Sequence, residues 1–405
     1  MKILVLTSTY ARRQGDTEPR FVDNHCHYLA EADPGNEIHV VAPHAPGIPT
    51  REVMDGIPVF RFRYAPEKWQ TLAYEGGILP SLKQNRLRLL LVPLFVCSQL
   101  LLALKLARIN RYDVIHAHWI IPQGLVAVML RAVLKPRPPV VLTSHGGDLF
   151  ALKGGLLKHV KRWIIERVDR LTVVSSAMRD KVLEQGLASP NGVGVIPMGV
   201  DSRGMFLPPD NDNERRGLLF VGRLVDKKGI EYLIAALPAI LERHPGETLT
   251  IIGDGPLRQA LQNACETRGI AGNVAFLGPL VNQEIPGYLR AAAVTVFPSV
   301  VTESGDQEGT PVAIMEALAC ANAVVVSDYP GARDIIEDGN NGLLVAQKSP
   351  EELAAAILSL LDTPERWRQL GEAGRRTVEQ HYDWRVISEQ FLSTFRTLIP
   401  GDTTQ

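Results

Sequence analysis

The chain has 405 residues, 45% hydrophobic and 21% charged, with 43 Lys and Arg against 44 Asp and Glu for a formal net charge of −1. This balance excludes a disordered or coiled-coil chain, and the length outgrows one ordinary core and suits two domains of about 200 residues each. Four scattered cysteines, Cys26, Cys97, Cys265 and Cys320, form no CxxC pair, which speaks against a disulfide framework or a zinc knuckle and for a reducing compartment.

The opening Met1 to Leu6 is too short an apolar run for a signal peptide and reads as a first buried strand, so a cytoplasmic location is expected. Charge is unevenly placed. Residues 1–205 carry 26 basic and 17 acidic side chains, and the remainder carry 17 and 27. The basic first half suits an anionic partner such as a phospholipid surface or a charged acceptor, or an ordinary solvated face, and nothing in the chain calls for nucleic acid.

After the first strand, the polar loop Thr7 to Arg20 leads into a helical run from Phe21 to Ala30, the start of a doubly wound α/β unit. The loop lacks GxGxxG, so it is a poor dinucleotide cradle and a better grip for an acceptor. Glu37 to Pro43 and Ile57 to Phe62 continue the strands. In residues 81–111 an apolar run of about 16 residues, Leu89 to Leu104, is bracketed by Lys83, Arg86 and Arg88 and by Lys105, Arg108 and Arg111. It falls short of a bilayer span and suits either an interfacial anchor on an anionic membrane or a core helix with snorkelling ends.

Tyr112 to Trp119 is a strand ending in the pair His116 and His118. An HxH pair can bind metal, but no third ligand is near in sequence, and hydrogen bonding at the strand end is the favoured reading. Val140 to Ser144 empties into His145-Gly-Gly-Asp148, which places His145 and Asp148 at the carboxyl edge of a sheet, where chemistry in such folds occurs. Asp169 to Ser175 and Gly194 to Asp201 close this half.

Pro208 to Arg216 has the composition of an exposed hinge, and its Asp210 and Asp212 read as a solvated charge run rather than a metal-binding D-x-D after a strand. Gly217 to Gly229 is a strand turning into a helix with Arg223 and Lys228 at the turn. A departing nucleoside diphosphate needs cationic stabilisation where no metal supplies it; an arginine can fork two phosphate oxygens and a lysine adds a point charge. Thr248 to Pro256 is a strand, a glycine turn and a helix start, with Gly253 and Gly255 permitting close approach to a flat ring or phosphate. Further strands are expected at Asn273 to Pro279, Ala293 to Ser299, Ala323 to Asp328 and Gly342 to Val345.

The loop after Ser299 holds Glu303, Asp306 and Glu308 and runs into Glu308-Gly-Thr-Pro-Val-Ala-Ile-Met-Glu316. Thr310 suits a helix N-cap and Pro311 the first helical position. The amides of Val312 and Ala313 then offer an anion site, and the carboxylates of Glu308 and Glu316 accept hydrogen bonds from hydroxyls. A phosphate flanked by polyols is a nucleotide sugar.

The Gly-Arg223…Lys228-Gly turn, the Gly253 to Pro256 turn and the E-x7-E stretch, in this order, resemble the retaining glycosyltransferases of family 4, and the likeness runs to about residue 385. The resemblance implies a GT-B fold: α/β, two Rossmann-like doubly wound domains facing a central cleft. Residues 1–205 would bind the acceptor and 206–383 the nucleotide sugar, with a last helix, about 384–400, packing back on the first. It also implies roles: Arg223 and Lys228 at the diphosphate, Glu308 at the donor sugar, Glu316 at the ribose and His145 facing sugar and phosphate. Gly15 would lie near the diphosphate, although the first loop has one glycine where relatives have a pair. Gly253, Gly255 and Pro256, with Leu277, Gly278 and Leu280, would form the nucleobase region.

The family needs no metal or other cofactor, and retention proceeds by front-face attack with the leaving phosphate helping to remove the acceptor proton. The expected reaction moves a hexose or N-acetylhexosamine from a UDP- or GDP-sugar to a lipid-linked or polysaccharide precursor. A nucleotide-sugar epimerase or hydrolase on the same fold, or a noncatalytic donor-binding partner subunit, are the alternatives.

Overall fold

The computed structural model describes residues 1–13, 16, 20–74, 76–152, 154–211, 215–303, 305, 307–308 and 311–399. Gly15, Asp212, Asp306 and Thr310 lie outside the described residues. The chain divides into two compact units, Met1–Pro197 with Arg385–Gln405, and Met198–Trp384.

The first unit holds β1 (Lys2–Leu6), β2 (Glu37–Pro43), β3 (Arg51–Met54), β4 (Ile57–Phe62), β5 (Val114–His118), β6 (Val140–Ser144), β7 (Arg170–Val173) and β8 (Val193–Val195). They form one sheet in the order β3-β4-β2-β1-β5-β6-β7-β8. All neighbours are parallel except the β3–β4 hairpin, whose Asp55-Gly56 turn takes φ of 48° and 81°. β1, β5 and β6 are rich in Val, Ile, Leu and Ala and are buried almost throughout, as strands covered on both faces must be.

The second unit holds β9 (Leu218–Val221), β10 (Leu249–Ile252), β11 (Val274–Gly278), β12 (Val294–Phe297), β13 (Ala323–Ser327) and β14 (Leu343–Val345). Its sheet runs β11-β10-β9-β12-β13-β14, every pair parallel. Its core packs strand residues such as Phe220, Ile251 and Val296 against the helices Ile230–Arg243 and Pro350–Leu361. In both sheets the connection order reverses once, between β1 and β5 and between β9 and β12, and the carboxyl ends beside such a reversal are where doubly wound folds hold ligands.

The units part at Pro197, eight residues before the expected boundary at 205. The reason is a set of bonds that knits residues 200–206 to the end of the second unit. Val200 N donates to Tyr382 O at 2.8 Å and Ser202 Oγ to Asp383 at 2.5 Å, while Arg375 reaches Ser202 O at 3.2 Å. β8 stops at Val195 instead of running on to Asp201, since Pro197 has no N–H to continue a ladder. The last helix, Trp384–Leu398, belongs from Arg385 onward to the first unit, where Phe391 and Phe395 pack on His116.

The basic-flanked apolar segment is a helix, Leu91–Ile109, entered directly from a 3-10 turn at Arg86–Leu90. One face is docked: Phe95, Gln99, Ala103 and Leu106 are buried, Phe95 lies 4.8 Å from the Phe62 ring, and Gln99 Nε2 donates to Thr7 O at 3.1 Å. On the other, Leu87, Leu90, Leu94, Leu101 and Ile109 are 51–74% exposed. The segment Arg86–Ile109 spans 24 residues, long and apolar enough by length and composition to cross a membrane, and extends past both ends of the apolar run Leu89 to Leu104.

Candidate active site

In the second unit the loops leaving β9, β10 and β12 are tied together by backbone bonds. Gly222 N donates to Ile252 O at 2.9 Å, Leu224 N to Asp254 O at 3.0 Å, and Val300 N to Lys227 O at 2.9 Å. Glycines make this closeness feasible. A Cβ on Gly253, whose φ is 129°, would stand 2.0 Å from Gly222 O, and one on Gly229 would stand 2.1 Å from Pro298 O. The Gly253–Gly255 turn, expected to admit a ring or phosphate, also admits the backbone of the neighbouring loop, Gly222 O at Gly253 and Leu224 O at Gly255. Of the others expected around a base, Leu277 is 40% exposed, Pro256 is exposed and Leu280 half-buried, and Gly278 turns at a φ of 81°.

This docking brings together side chains 80 residues apart. Lys228 Nζ donates to Glu308 Oε2 at 3.1 Å, and Lys227 Nζ stands 3.6 Å from Oε1. Burial by itself would raise the Glu308 carboxyl, but Lys228 and then Lys227 hold it below the ordinary carboxylate range, so it is an anion. Glu316, on the helix Val312–Ala319, is pushed up to about 7 by burial, with Lys228 pulling the other way. One lysine therefore acts on both carboxyls. Arg223 does not pair with this group; it is exposed and has no ion-pair partner among the described residues.

The helix after Glu308 begins one residue later than expected. Pro311, with ψ of 85°, is the cap and Val312 the first helical residue. Lys227 is the contributor that sequence reading passed over, and the Lys-Lys doublet at the turn was its only signal.

In the first unit His145 follows β6 directly. Its Nε2 lies 3.0 Å from His118 Nδ1 at the end of β5, the two rings stacked at 16°, with Phe21 and Trp119 each 4.9 Å away. Burial, with a smaller push from His25, lowers His145 to about 3 and keeps it neutral. Asp148 was expected to face chemistry. It is buried instead, accepting from Ile120 N at 2.6 Å and Ser144 Oγ at 2.7 Å, and so braces the loops after β5 and β6.

The family models for Glycosyltransferase Family 4 and for Glycosyl transferases group 1 match residues 19–203 and 208–377. The alpha-maltose-1-phosphate synthase of Mycolicibacterium smegmatis is 32% identical over 320 residues, 70% of this chain and 78% of that one. The chain is a family 4 glycosyltransferase.

This transferase is also 28% identical, over 66% of its length and 71% of the relative's, to a GDP-mannose-dependent alpha-(1-6)-phosphatidylinositol monomannoside mannosyltransferase of Mycobacterium tuberculosis. Its fold is GT-B. Sucrose-phosphate synthase from Thermosynechococcus elongatus superposes with a TM-score of 0.77 at 23% identity, covering 98% of both chains. HepE of Anabaena in complex with UDP-glucose superposes at 0.72 and 20%, covering 98% of this chain and all of that one.

Proposed function

We propose that this transferase is a retaining enzyme that moves a hexose or N-acetylhexosamine from a UDP- or GDP-sugar to a lipid-linked or polysaccharide precursor, without a metal. The observation that carries the reading is Lys228, held against Glu308 and acting on Glu316. Its ammonium has three donors, and Glu308 takes one. The others, with the guanidinium of Arg223, neutralise the diphosphate that leaves as the sugar bond breaks, the task a metal performs elsewhere.

Glu308, an anion, accepts from the sugar hydroxyls and orients the donor for front-face attack, the leaving phosphate taking the acceptor's proton. Glu316 takes the ribose. The first amides of the Val312–Ala319 helix suit a phosphate oxygen, and the Gly253 to Pro256 and Leu277 to Leu280 segments take the base. His145 takes part in transfer from the first unit.

A nucleotide-sugar donor is supported by HepE, solved with UDP-glucose. The phosphatidylinositol mannoside named for one relative supports a lipid-linked acceptor. The transferase would work in the cytoplasm at an anionic membrane face, its Arg86–Ile109 leucines entering the interface and the flanking arginines and lysines meeting the headgroups. A thermal-shift panel of UDP- and GDP-sugars tests the donor: one or more should raise the melting temperature, and further with the logarithm of concentration above its Kd, and a flat panel overturns the reading.

A further inference from the structure

Behind His145 lies a set of histidines that the proposed reaction does not use. His116 and His118 project from β5, and His25 from the helix Phe21–Ala32 crosses over them, with ring centroids 4.9 Å from His116 and 5.4 Å from His118. Phe391 covers the group from the last helix, 4.5 Å from His25. All three are at most 1% exposed. Burial drives their pKa values far below neutrality, His25 to about 3, so each is a neutral imidazole with a single ring proton.

The hydrogen bonds then assign that proton. His25 Nε2 meets His116 Nδ1 at 3.1 Å, and His116 Nε2 meets Thr143 Oγ1 at 2.8 Å. Among the described residues His118 has one hydrogen bond, from Nδ1 to His145 Nε2 at 3.0 Å, and its buried Nε2 has no hydrogen-bond partner. A proton on His118 Nε2 would be a buried N–H with no acceptor among the described residues, at the full desolvation cost of that group. On Nδ1 it is used. The bond needs one donor and one acceptor, so His145 Nε2 must then be bare.

We infer that His118 is a positioning residue: by donating from Nδ1 to Nε2 of His145 it fixes His145 as the Nδ1–H tautomer, a hydrogen-bond donor toward its ligand and not a base. The partner at His145 is accordingly an acceptor oxygen, a phosphate oxygen or a sugar hydroxyl lone pair, and His145 does not deprotonate the acceptor. That identity of the ligand rests on the function proposed above; the tautomer does not. The three nitrogens of His25, His116 and His118 within 4.8 Å also invite a metal, but no carboxylate or thiolate joins them among the described residues to offset a buried dication.

The test reads tautomers without substrate. Full-length protein labelled with 15N in its imidazoles is recorded by long-range 1H–15N correlation at neutral pH, with His145→Gln to assign the ring. His145 should show a protonated Nδ1 and a bare Nε2, and keep that pattern down to pH 5. A protonated Nε2 on His145 overturns the inference, whatever the donor panel gives.

His118→Asn, whose Nδ2–H takes the place of Nδ1–H, should retain the pattern. His118→Leu should release His145 to the Nε2–H form and lower kcat roughly tenfold, the worth of one neutral hydrogen bond, with little change in donor KM. Equal spectra for wild type and His118→Leu would also overturn it, and if His118→Leu fails to fold the wild-type spectrum still decides.

Discussion

Glu308→Gln keeps the shape of the side chain and removes the negative charge between Lys227 and Lys228. The Glu308 side chain is 13% exposed, Lys228 15% and Lys227 31%. Stripping one partner from a fully buried pair costs ~3–5 kcal/mol, and from a surface pair less than ~1 kcal/mol. Both lysines keep a path to water, which places the loss at about 1–2 kcal/mol, or roughly 2–8 °C in Tm for a domain of this size.

Transfer should suffer more. A charged hydrogen bond to a sugar hydroxyl is worth ~1.5–3 kcal/mol, and losing two of them lowers kcat/KM by about a hundredfold or more. The assay is coupled release of UDP or GDP beside thermal unfolding of the same preparation. A variant that loses Tm yet keeps kcat/KM within about threefold of wild type would reduce Glu308 to a counter-ion and refute its role at the donor. Because the lysines hold the Glu308 carboxyl low, its contribution to stability is present above the ordinary carboxylate range and disappears as pH falls through its depressed pKa.

Glu316 gives the opposite slope: held near 7 when folded and ionising earlier when unfolded, it makes the native state the better proton binder between its ordinary value and about 7, so stability declines as pH rises through that window. Glu316→Gln should flatten this part of a urea-unfolding pH profile, and an unchanged slope would contradict the assignment. Gly253→Ala should cost about 2–4 kcal/mol in urea unfolding, because its Cβ has Gly222 O at 2.0 Å; a near-neutral change would sink the loop-docking account. Vesicles rich in anionic phospholipid should cosediment the transferase at low salt and release it at high salt, and Leu90→Glu with Leu94→Glu and Leu101→Glu should abolish the binding. Equal sedimentation of wild type and triple variant would leave that face without a membrane role.

The strands were legible because a parallel sheet buried on both faces requires continuous apolar runs. β2 and β4 begin and end where the sequence places them, and β1 differs by one residue. The reactive loops were legible by position, since each follows such a run. What joins the loops was not. Lys228 and Glu308 meet because Gly229 and Gly253 let backbones touch, and composition cannot distinguish a glycine that admits a ligand from one that admits a neighbouring loop. His25 lies 91 residues from His116, so the third histidine of that set has no local signal. Asp148 stands at the predicted strand edge, but its burial and its two donors, Ile120 N and Ser144 Oγ, follow from packing that a linear motif does not carry.

Isothermal titration of UDP and of GDP into wild type and Lys228→Ala, side by side at fixed ionic strength, tests the central claim most directly. The charge-assisted contacts of one ammonium with phosphate oxygens predict a loss of at least about tenfold in affinity for whichever nucleotide binds. Equal affinity in the two proteins would contradict the account.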